Sequence, residues 1–546
     1  MKVFNTPDWQ TGFRALFGVL LAIGSCQLMA AGTDSRPNIL LLVADDLGYA
    51  DLGVYGGDIR TPNIDALAEQ GILFTQFHTA PLCAPTRSML LSGNNNHVAG
   101  MGRQHQQGLL KEYLPGYEGH LSDRVAHLPA LLKAAGYHTY TTGKWHLGTE
   151  KEHSPWAAGF ERSWNLVDGA ASHFDDRGFQ ERPSVYRMDG EEVDYPTGEY
   201  ATAVYTDRLI GFIDANKGDG RPFFAFAAFT SPHWPLQVPA DELGRYSGVY
   251  DAGYDALREQ RFESLKSAGI VPASSTLPPR WEEITPWEDL SDEQKKNESR
   301  KMELYAAMVE NLDGHIGRLI HYLKANGLYE NTLVVFMSDN GAAAEDFYYH
   351  EDFRDYIQAR YDNAYEKMGS PDSFVSYGPQ WAEAGSAPFK RHKGYTSEGG
   401  ITAPMIITGH GVGRSPEINR SYVTVMDLAP TFIEIAGAQY PDDGSVQPML
   451  GESMAAFLQG STEQTHSEDY VTAQFLAGRA YLRQGRWKIT QLDRTFSESG
   501  FALYDLQSDP GETTDLSGQL PEKRSQMVEL WRQQREALNI VLPEDL

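Results

Sequence analysis

The stretch Asn38-Ile39-Leu40-Leu41-Leu42-Val43 decides the fold, and Ala44-Asp45-Asp46-Leu47-Gly48-Tyr49 follows it directly. Its side chains are apolar on both faces, which is typical of a central strand in a parallel sheet. Asp45 and Asp46 then stand at the carboxyl end of the strand, where open α/β sheets bind their ligands. Adjacent carboxylates repel unless a cation holds them, and hard oxygen ligands suit Ca²⁺ or Mg²⁺. The pair is therefore a candidate metal site, with a solvated turn as the plainer alternative.

Two later apolar stretches also end in polar side chains. Pro222 to Phe229 leads into Thr230-Ser231-Pro232-His233, and Leu333 to Met337 leads into Ser338-Asp339-Asn340-Gly341. Strands of one sheet would bring these ends together, so the oxygens of Asp339 and Asn340 are expected beside the first carboxylate pair. The sequence offers no His/Cys set of the kind that zinc requires. His233 has a side chain suited to protonating a leaving oxygen, and a structural histidine is the alternative.

Cys83-Ala84-Pro85-Thr86-Arg87 begins a helix of small residues that Gly93 is suited to end. Pro85 fits the first helical position, so Cys83 is expected just before the N-terminus, where N–H groups and the helix dipole favour an anion. Arg87, one turn on, presents a planar fork of donors. These features predict a sulfur nucleophile, or a group made from it, at an oxyanion site. The alternative is an inert buried cysteine.

The segment Gly143-Lys144-Trp145-His146-Leu147-Gly148 follows a predicted strand from Tyr137 to Thr142. Lys144 and His146 are two residues apart, so an extended backbone would place both on one face as a clamp for an anion. Asn94-Asn95-Asn96-His97 is expected to form a loop over the pocket, in which His97 is a possible substrate contact or simply a polar loop residue.

Taken in order along most of the chain, these motifs resemble the signatures of the type I sulfatases. The matching segments are D-D-x-G at Asp45, T-P-N-I-D-x-L-A at Thr61, C-x-P-x-R at Cys83, G-K-W-H-L-G at Gly143, S-P-H-x-P at Ser231 and S-D-N-G at Ser338. The basic run from Phe389 to Gly400 corresponds to the family's last active-site segment and places its lysine at Lys393. It reads Tyr395-Thr396-Ser397-Glu398, as in some bacterial arylsulfatase-like members.

The resemblance implies a hydrolase that splits a sulfate ester into an alcohol or phenol and inorganic sulfate. A maturation enzyme would convert Cys83 to formylglycine, whose hydrate attacks sulfur. Catalytic roles carry over to Cys83, Arg87, Lys144, His146, His233 and Lys393. Metal ligation carries over to Asp45, Asp46, Cys83, Asp339 and Asn340, for one Ca²⁺ in preference to Mg²⁺.

Three alternatives to an arylsulfatase-like enzyme remain open from the sequence. The same fold and formylglycine would serve a phosphonate monoester or phosphodiester hydrolase. A carbohydrate-specific sulfatase would act on a saccharide sulfate ester instead of a small aryl one. A non-catalytic binding protein would keep Cys83 as a thiol.

The first 31 residues resemble an export signal. Lys2 and Arg14 precede a ten-residue apolar run, which is too short to span a bilayer. Cleavage after Ala30 or Ala31 is preferred to processing at Cys26 in a lipoprotein-like box, so we expect a periplasmic protein, with secretion or a lipid anchor as alternatives. If Cys26 is removed or lipidated, Cys83 has no disulfide partner, because the chain has 2 cysteines.

Composition and patterning set the remaining expectations. With 46 Lys and Arg against 74 Asp and Glu, the net charge of −28 argues against nucleic acid and anionic membranes as partners. Residues 32–440 are expected to form an α/β domain of the alkaline-phosphatase-like sulfatase fold, with a large, mixed but mostly parallel sheet between helices. Residues 441–546 are expected to form a smaller α+β subdomain with an antiparallel sheet. Residues 241–300 and 342–385 are predicted to be a surface insertion and a selectivity loop.

Overall fold

The computed structural model describes Met1 and residues 36–104, 114–178, 182–346 and 351–542. Apart from Met1, the predicted export signal lies outside the described residues. The strands are β1 (Asn38–Ala44), β2 (Gly71–Phe74), β3 (Phe77–His78), β4 (His138–Lys144), β5 (Arg162–Leu166), β6 (Tyr186–Met188), β7 (Glu191–Val193), β8 (Phe223–Ala228), β9 (Thr332–Ser338), β10 (Met405–Gly409), β11 (Glu417–Asn419), β12 (Val423–Thr424), β13 (Val471–Leu476), β14 (Arg479–Gln484), β15 (Trp487–Gln491) and β16 (Ala502–Asp505). The α-helices are α1 (Pro62–Ala68), α2 (Cys83–Ser92), α3 (Leu128–Ala134), α4 (Ala201–Asn216), α5 (Gly253–Ser267), α6 (Asp292–Ala325), α7 (Glu351–Arg360), α8 (Gly378–Gly385), α9 (Glu398–Ile401), α10 (Leu428–Ala436), α11 (Ala455–Leu458) and α12 (Pro521–Ala537).

A ten-stranded sheet in the order β11-β2-β10-β9-β1-β8-β4-β5-β6-β7 forms the centre of the molecule. Strand β1 lies near its middle and pairs in parallel with both β8 and β9. The run β9-β1-β8-β4-β5 is parallel, whereas β10 and the edge strands β6 and β7 run antiparallel to their neighbours. The predicted mixed, mostly parallel sheet is therefore confirmed.

Helices cover both faces of this sheet, and β1 contributes to both cores. Its alternate residues Leu40 and Leu42 pack in the cluster that contains the buried face of α6, while Ile39, Leu41 and Val43 pack in the cluster that contains α10. Burial on both faces explains the uninterrupted apolar run that the sequence shows at β1.

Helix α6 begins earlier than the sequence pattern predicts. The sequence predicts a helix from about Ser299 to Asn326, but the observed helix starts at Asp292, directly after a capping box in which Ser291 and Gln294 each bond the other's backbone N–H. The apolar periodicity that guided the prediction begins only where the helix becomes buried, so its exposed first two turns carried no signal.

The two segments predicted as irregular are partly helical. Residues 241–300 contain α5, whose buried residues pack on the main core, and residues 342–385 contain α7 and α8. The sequence of α5 is strongly polar apart from a few apolar positions, and that hid the helix. In the part of the chain described here, no helix is long and apolar enough to cross a membrane.

The C-terminal region forms a second, antiparallel sheet in the order β13-β14-β15-β16. Helix α12 packs on it through Trp531, Met527 and Val528, which belong to a separate apolar cluster. The sequence predicts a closing helix from Gln526 to Leu538, but α12 starts five residues earlier at Pro521, because proline is well suited to the first turn. The predicted antiparallel C-terminal sheet is confirmed, and the boundary near residue 440 stays a prediction.

Candidate active site

Three buried carboxylates meet at the carboxyl edge of the central sheet. Asp45 and Asp46 follow β1 and Asp339 follows β9, and all three are fully buried. The backbone N–H of Asp46 donates to Asp339 Oδ1 at 3.1 Å, and Asp46 adopts a left-handed conformation with φ 66°. The parallel pairing of β1 with β9 produces this convergence, as the sequence predicted for strand ends of one sheet.

Three cationic side chains neutralise these carboxylates one by one. Lys144 Nζ donates to both oxygens of Asp45 at 2.9 and 2.7 Å. Arg87 donates from Nε and Nη2 to Asp339 Oδ2 at 3.1 and 2.8 Å. Lys393 Nζ lies 2.7 Å from Asp46 Oδ2. Arg87, Lys144 and Lys393, to which the sequence resemblance gave catalytic roles, are therefore assembled at one point, each beside a carboxylate.

The carboxylates differ in their electrostatic surroundings. Burial favours the neutral form of Asp46, but Lys393, His233 and Lys144 together hold its pKa well below the usual value. Burial, and after it the charge of Asp45, raise the pKa of Asp339 to about 6 against the opposing effect of Arg87. Such a split is expected when like charges share a buried site, and an added cation would favour the charged form of all three.

Asn340 completes the oxygen-rich cluster. Its Nδ2 donates to Asp46 Oδ1 at 2.7 Å, while its Oδ1 is buried and has no hydrogen-bond partner among the described residues. One ligand atom from each of Asp45, Asp46, Cys83 and His233 also lies within 4.8 Å of the others. Carboxylate and amide oxygens suit a hard divalent cation, and the Asn340 oxygen, which accepts no hydrogen bond from the described residues, is suited to serve as a ligand. The residues present therefore fit a metal ion.

Cys83 is the first residue of α2 and is buried at the centre of this cluster. The helix starts two residues earlier than predicted, so Cys83 lies inside its first turn and Pro85 is the third residue, not the first. The Cys83 thiol lies 3.5 Å from Asp46 Oδ1. Burial raises the pKa of the thiol far above its usual value, and Lys144 and Lys393 only partly offset this. A thiol at this position stays protonated and is a weak nucleophile.

His233 lies on the opposite side of Asp46 from Asn340. Its Nδ1–H donates to the Trp234 carbonyl at 2.7 Å, which leaves Nε2 facing Asp46 Oδ2 at 3.3 Å and Lys393 Nζ at 3.4 Å. Burial lowers the pKa of His233 to about 3, with Lys144 and Lys393 opposing the effect of Asp46. The ring is neutral in this state, and Lys393 is the protonated group beside it.

His146 does not share one extended face with Lys144, so that part of the prediction is wrong. Lys144 is the last residue of β4, which runs two residues beyond the predicted end. The backbone then turns, with φ 60° at His146, and the ring packs on Gly169, where an added Cβ would lie 2.7 Å from Nε2. A left-handed residue breaks the alternation on which the prediction rested.

Sequence reasoning missed two neighbours of the cluster. Glu345 Oε1 lies 3.8 Å from Lys393 Nζ, and His173 Nε2 lies 3.1 Å from the His233 carbonyl oxygen. Both stand in segments without a recognisable motif, so no sequence signal could have found them. His97 is fully buried between Tyr117 and the backbone of Phe475, where its role is structural.

Comparisons with known proteins agree with this geometry. A family model described as Sulfatase matches residues 37–438, and one described as N-sulphoglucosamine sulphohydrolase, C-terminal, matches residues 391–539. The second match begins just before Lys393, so this lysine belongs to both matched regions.

Individual relatives extend the same likeness over most of the chain. An uncharacterized sulfatase of Schizosaccharomyces pombe is 38% identical over 91% of this chain and 93% of its own length. The arylsulfatase of Klebsiella aerogenes is 40% identical over 78% of this chain and 93% of its own. A solved structure in complex with its substrate, D-glucosamine-2-N,6-O-disulfate, is 20% identical with a TM-score of 0.62 and covers 93% of this chain and 99% of that one.

Proposed function

The chain belongs to the sulfatase family and hydrolyses sulfate esters, and on that premise we propose that the reaction depends on a formylglycine made from Cys83 and on one divalent cation. The observation that carries the proposal is the position of Cys83, buried at a helix N-terminus among three carboxylates and three cations. Because burial keeps the pKa of its thiol high, Cys83 is poorly suited to attack as a thiolate. A hydrated aldehyde at the same position would supply one hydroxyl oxygen for attack on sulfur and a second for expelling sulfate.

Charge balance supports a role for the cations in substrate binding. The charges of Arg87, Lys144 and Lys393 equal those of Asp45, Asp46 and Asp339 in number, so the cluster is neutral when all six groups are ionised. A bound divalent cation would add two positive charges and would polarise the nucleophilic oxygen. Arg87, Lys144 and Lys393 could then donate some of their hydrogen bonds to the sulfuryl oxygens and stabilise the negative charge that develops on those oxygens.

The residues that would hold the cation are Asp45, Asp46, Asp339, Asn340 and the oxygen-bearing form of Cys83. All contribute oxygen, and the unpartnered Asn340 Oδ1 is a preformed ligand. We infer Ca²⁺ in preference to Mg²⁺, because Ca²⁺ accepts several protein oxygens in irregular geometry whereas Mg²⁺ tends to keep its waters.

Proton transfer falls to Lys393, His233 and His146. Lys393 is the protonated group nearest to Asp46, and its 3.4 Å contact with His233 Nε2 provides a short path for a proton to the departing oxygen. His146 is proposed to take a proton from the second hydroxyl of the formylglycine hydrate.

One measurement tests the modification directly. The mass of the tryptic peptide from Thr61 to Arg87, isolated from protein made in its own host, is expected to show an aldehyde or its hydrate at Cys83. Cys83→Ser or Cys83→Ala is expected to abolish turnover of 4-nitrophenyl sulfate, while Ser88→Ala, one turn further along the same helix, serves as the matched control. An unmodified thiol in active enzyme would contradict the proposal.

The alcohol half of the substrate is proposed to be aryl, by analogy with the Klebsiella arylsulfatase. A carbohydrate sulfate is the second candidate, favoured by the C-terminal match to the N-sulphoglucosamine sulphohydrolase family. Comparing kcat/KM for 4-nitrophenyl sulfate with that for 6-sulfated hexosamines decides between them. The phosphonate and phosphodiester alternatives are not favoured, since the family match and the relatives above 30% identity are sulfatases.

We also propose that the protein is exported to the periplasm after removal of residues 1–31. An unpaired cysteine in an oxidising compartment is a liability that conversion to formylglycine by a maturation enzyme would remove. The N-terminal sequence of the mature protein tests this: a start near Gly32 supports cleavage, and a lipid on Cys26 would indicate an anchored form instead.

A further inference from the structure

A cleft of about 750 Å³ lies between the edge of the central sheet and the C-terminal sheet. One wall is formed by residues after β2 and β11, among them Gln76, Arg420 and Tyr422. The opposite wall is formed by residues of β14 and the turn after it, among them Arg483 and Arg486. The cleft therefore opens where the two matched regions of the chain face each other.

The cleft is separate from the reaction centre but lies at the same edge of the sheet. Strands β2 and β9 are both antiparallel to β10, and β1 is parallel to β9, so β2 and β1 run in the same direction. The carboxyl ends of β1 and β2 therefore lie at the same edge of the sheet. Three strand spacings separate β2 from β1, which corresponds to roughly 14 Å. Tyr49, three residues after Asp46, and Phe389, four residues before Lys393, both line the cleft, and their ring centroids lie 4.9 Å apart.

Arg483 is a buried guanidinium without a carboxylate partner among the residues that the structure describes. It is 6% exposed and lines the cleft. Its hydrogen bonds go to the Gly485 carbonyl at 3.1 Å, Gln76 Oε1 at 3.3 Å and His78 Nε2 at 3.1 Å, and that His78 nitrogen in turn lies 2.7 Å from Glu398 Oε2. No described hydrogen bond uses its Nη2. A buried charge normally has an ionic partner, so this donor is available to an anion entering the cleft.

Two further arginines face the same space. Arg420 donates only to the carbonyl oxygens of Ile418 and Gly269 and has no ion pair within the described parts of the chain. Arg486 pairs with Asp505. Three carboxylates also line the cleft: Glu417 and Glu463 are paired with Arg414, whereas Glu468 has no ion pair among the described residues and acts electrostatically on Arg486. In a chain with a net charge of −28, a cleft whose three arginines balance its three glutamates is less acidic than the chain as a whole.

The remaining lining groups suit a sugar. Planar amides that can bond neighbouring hydroxyls come from Gln76, Asn419, Gln464 and Gln507. The aromatic rings of Tyr422 and Tyr470 add apolar surface with a polar edge. A guanidinium fork matches the planar pairs of oxygens on a sulfate or carboxylate group.

We propose that this cleft is a second binding site, which takes a sulfated saccharide segment with its anionic group on Arg483 and Arg420. The site lies beside the reaction centre and takes no part in the chemistry at Cys83, so it goes beyond the proposed function. It would hold a neighbouring unit of a polymeric sulfate ester whose scissile group lies near Asp46, and in this respect it rests on the carbohydrate candidate of the proposed function. Inorganic sulfate shares the anionic chemistry, and the test separates the two ligands.

The test measures binding to full-length protein carrying Cys83→Ala, which prevents turnover. Titration calorimetry with a chondroitin-sulfate tetrasaccharide is compared among this parent, Arg420→Gln, Arg420→Gln/Arg486→Gln, and Arg532→Gln as control. Arg532 is also an ion-paired arginine of the C-terminal region, but lies on α12 away from the cleft. These exposed positions are chosen because replacing the buried Arg483 could disturb folding.

The expected result is a second binding event whose affinity falls at least tenfold in Arg420→Gln and further in the double variant, since each charge-assisted bond contributes about a factor of ten or more. Arg532→Gln leaves it unchanged. In protein that keeps Cys83, turnover of 4-nitrophenyl sulfate by Arg420→Gln stays within twofold of the turnover by the unsubstituted protein. Unchanged binding in the double variant would overturn the proposal. So would equal affinity for the desulfated tetrasaccharide, or inorganic sulfate binding as tightly as the saccharide. Failure of the Cys83 proposal would appear in the peptide mass and leave these results unaffected.

Discussion

Replacing Lys488 with methionine tests how the C-terminal region holds the active-site segment in place. Lys488 is fully buried on β15, and its Nζ lies 2.6 Å from Glu398 Oε1 and 2.9 Å from Glu512 Oε1. Burial favours the neutral form of Glu398, but Lys488 and His78 more than compensate and hold its pKa well below the usual value. Methionine fills a similar volume without the charge, so two carboxylates lose their main cation in a buried environment.

The expected cost is large because the partners cannot reach water. Removing one partner of a buried ion pair typically costs about 3–5 kcal/mol, which corresponds to a factor of about 10² to 10⁴ in the unfolding equilibrium. The matched control is Lys217→Met, which removes a comparably short pair, 2.6 Å to Asp214, that is exposed to solvent. An exposed pair contributes about 0–1 kcal/mol.

Denaturant titration followed by tryptophan fluorescence measures both variants. Adding Glu398→Gln to Lys488→Met is expected to recover part of the loss, because it removes one of the stranded charges, and the cycle gives the coupling energy of the pair. A second readout is kcat for 4-nitrophenyl sulfate. The segment with Lys393 is also fastened to the C-terminal region through Lys390 to Tyr504, Gly394 to Arg479 and Thr396 to Thr490, so Lys488→Met should lower kcat as well. A loss of stability no greater than that of Lys217→Met would refute the reasoning.

Three other predictions follow from single sites. Burial lowers the pKa of His97 to about 3, and its Nε2 accepts the Phe475 N–H. Below pH 6.5 the unfolded chain binds a proton on this residue that the folded chain does not bind, so the free energy of unfolding falls by about 2 kcal/mol from pH 6.5 to 5. In denaturant titrations, His97→Gln should remove that part of the pH dependence. Gly143 has φ 99°, and an added Cβ would lie 1.8 Å from the Ala228 carbonyl oxygen, so Gly143→Ala should lower the free energy of unfolding by more than the about 1–3 kcal/mol of backbone strain alone. Gly211 has open space around it in α4, so Gly211→Ala should raise the free energy of unfolding by about 0.5–1 kcal/mol. A small loss of stability in Gly143→Ala would contradict the packing argument. Adding Ca²⁺ at 100 times its Kd to chelator-treated protein should raise the free energy of unfolding by about 2.7 kcal/mol, and the same concentration of Mg²⁺ should raise it by less. The increase with Ca²⁺ should be smaller in Asn340→Ala. An identical increase in this variant would exclude Asn340 as a ligand.

The sequence predicted the central strands and the polar residues at their ends because both follow from local patterns. The apolar run of β1 and the adjacent carboxylates need no long-range information, and the parallel sheet then brings Asp45, Asp46 and Asp339 together. The turn at His146 and the earlier start of α2 depend on packing against Gly169 and the neighbouring strands, which no local pattern encodes. Glu345 and Arg483 likewise reach their positions through contacts between distant segments, so their surroundings could be seen only in the fold.

The pairing of cations with carboxylates at the reaction centre has a consequence for how an acidic protein attracts an acidic substrate. The whole surface repels a sulfate ester, since the net charge is −28, and salt weakens that repulsion beyond about 10 Å. Inside the site, the charges of three buried cations cancel those of three buried carboxylates. Any added positive charge acts there at short range in a medium of low polarity, so its effect is strong. A divalent cation there would therefore switch the cluster from neutral to attractive for the sulfuryl group. Raising the salt concentration should then change kcat/KM for an aryl sulfate only modestly and in the upward direction, because it screens the outer repulsion and leaves the buried attraction intact. A steep fall of kcat/KM with salt would contradict this division between the surface and the site.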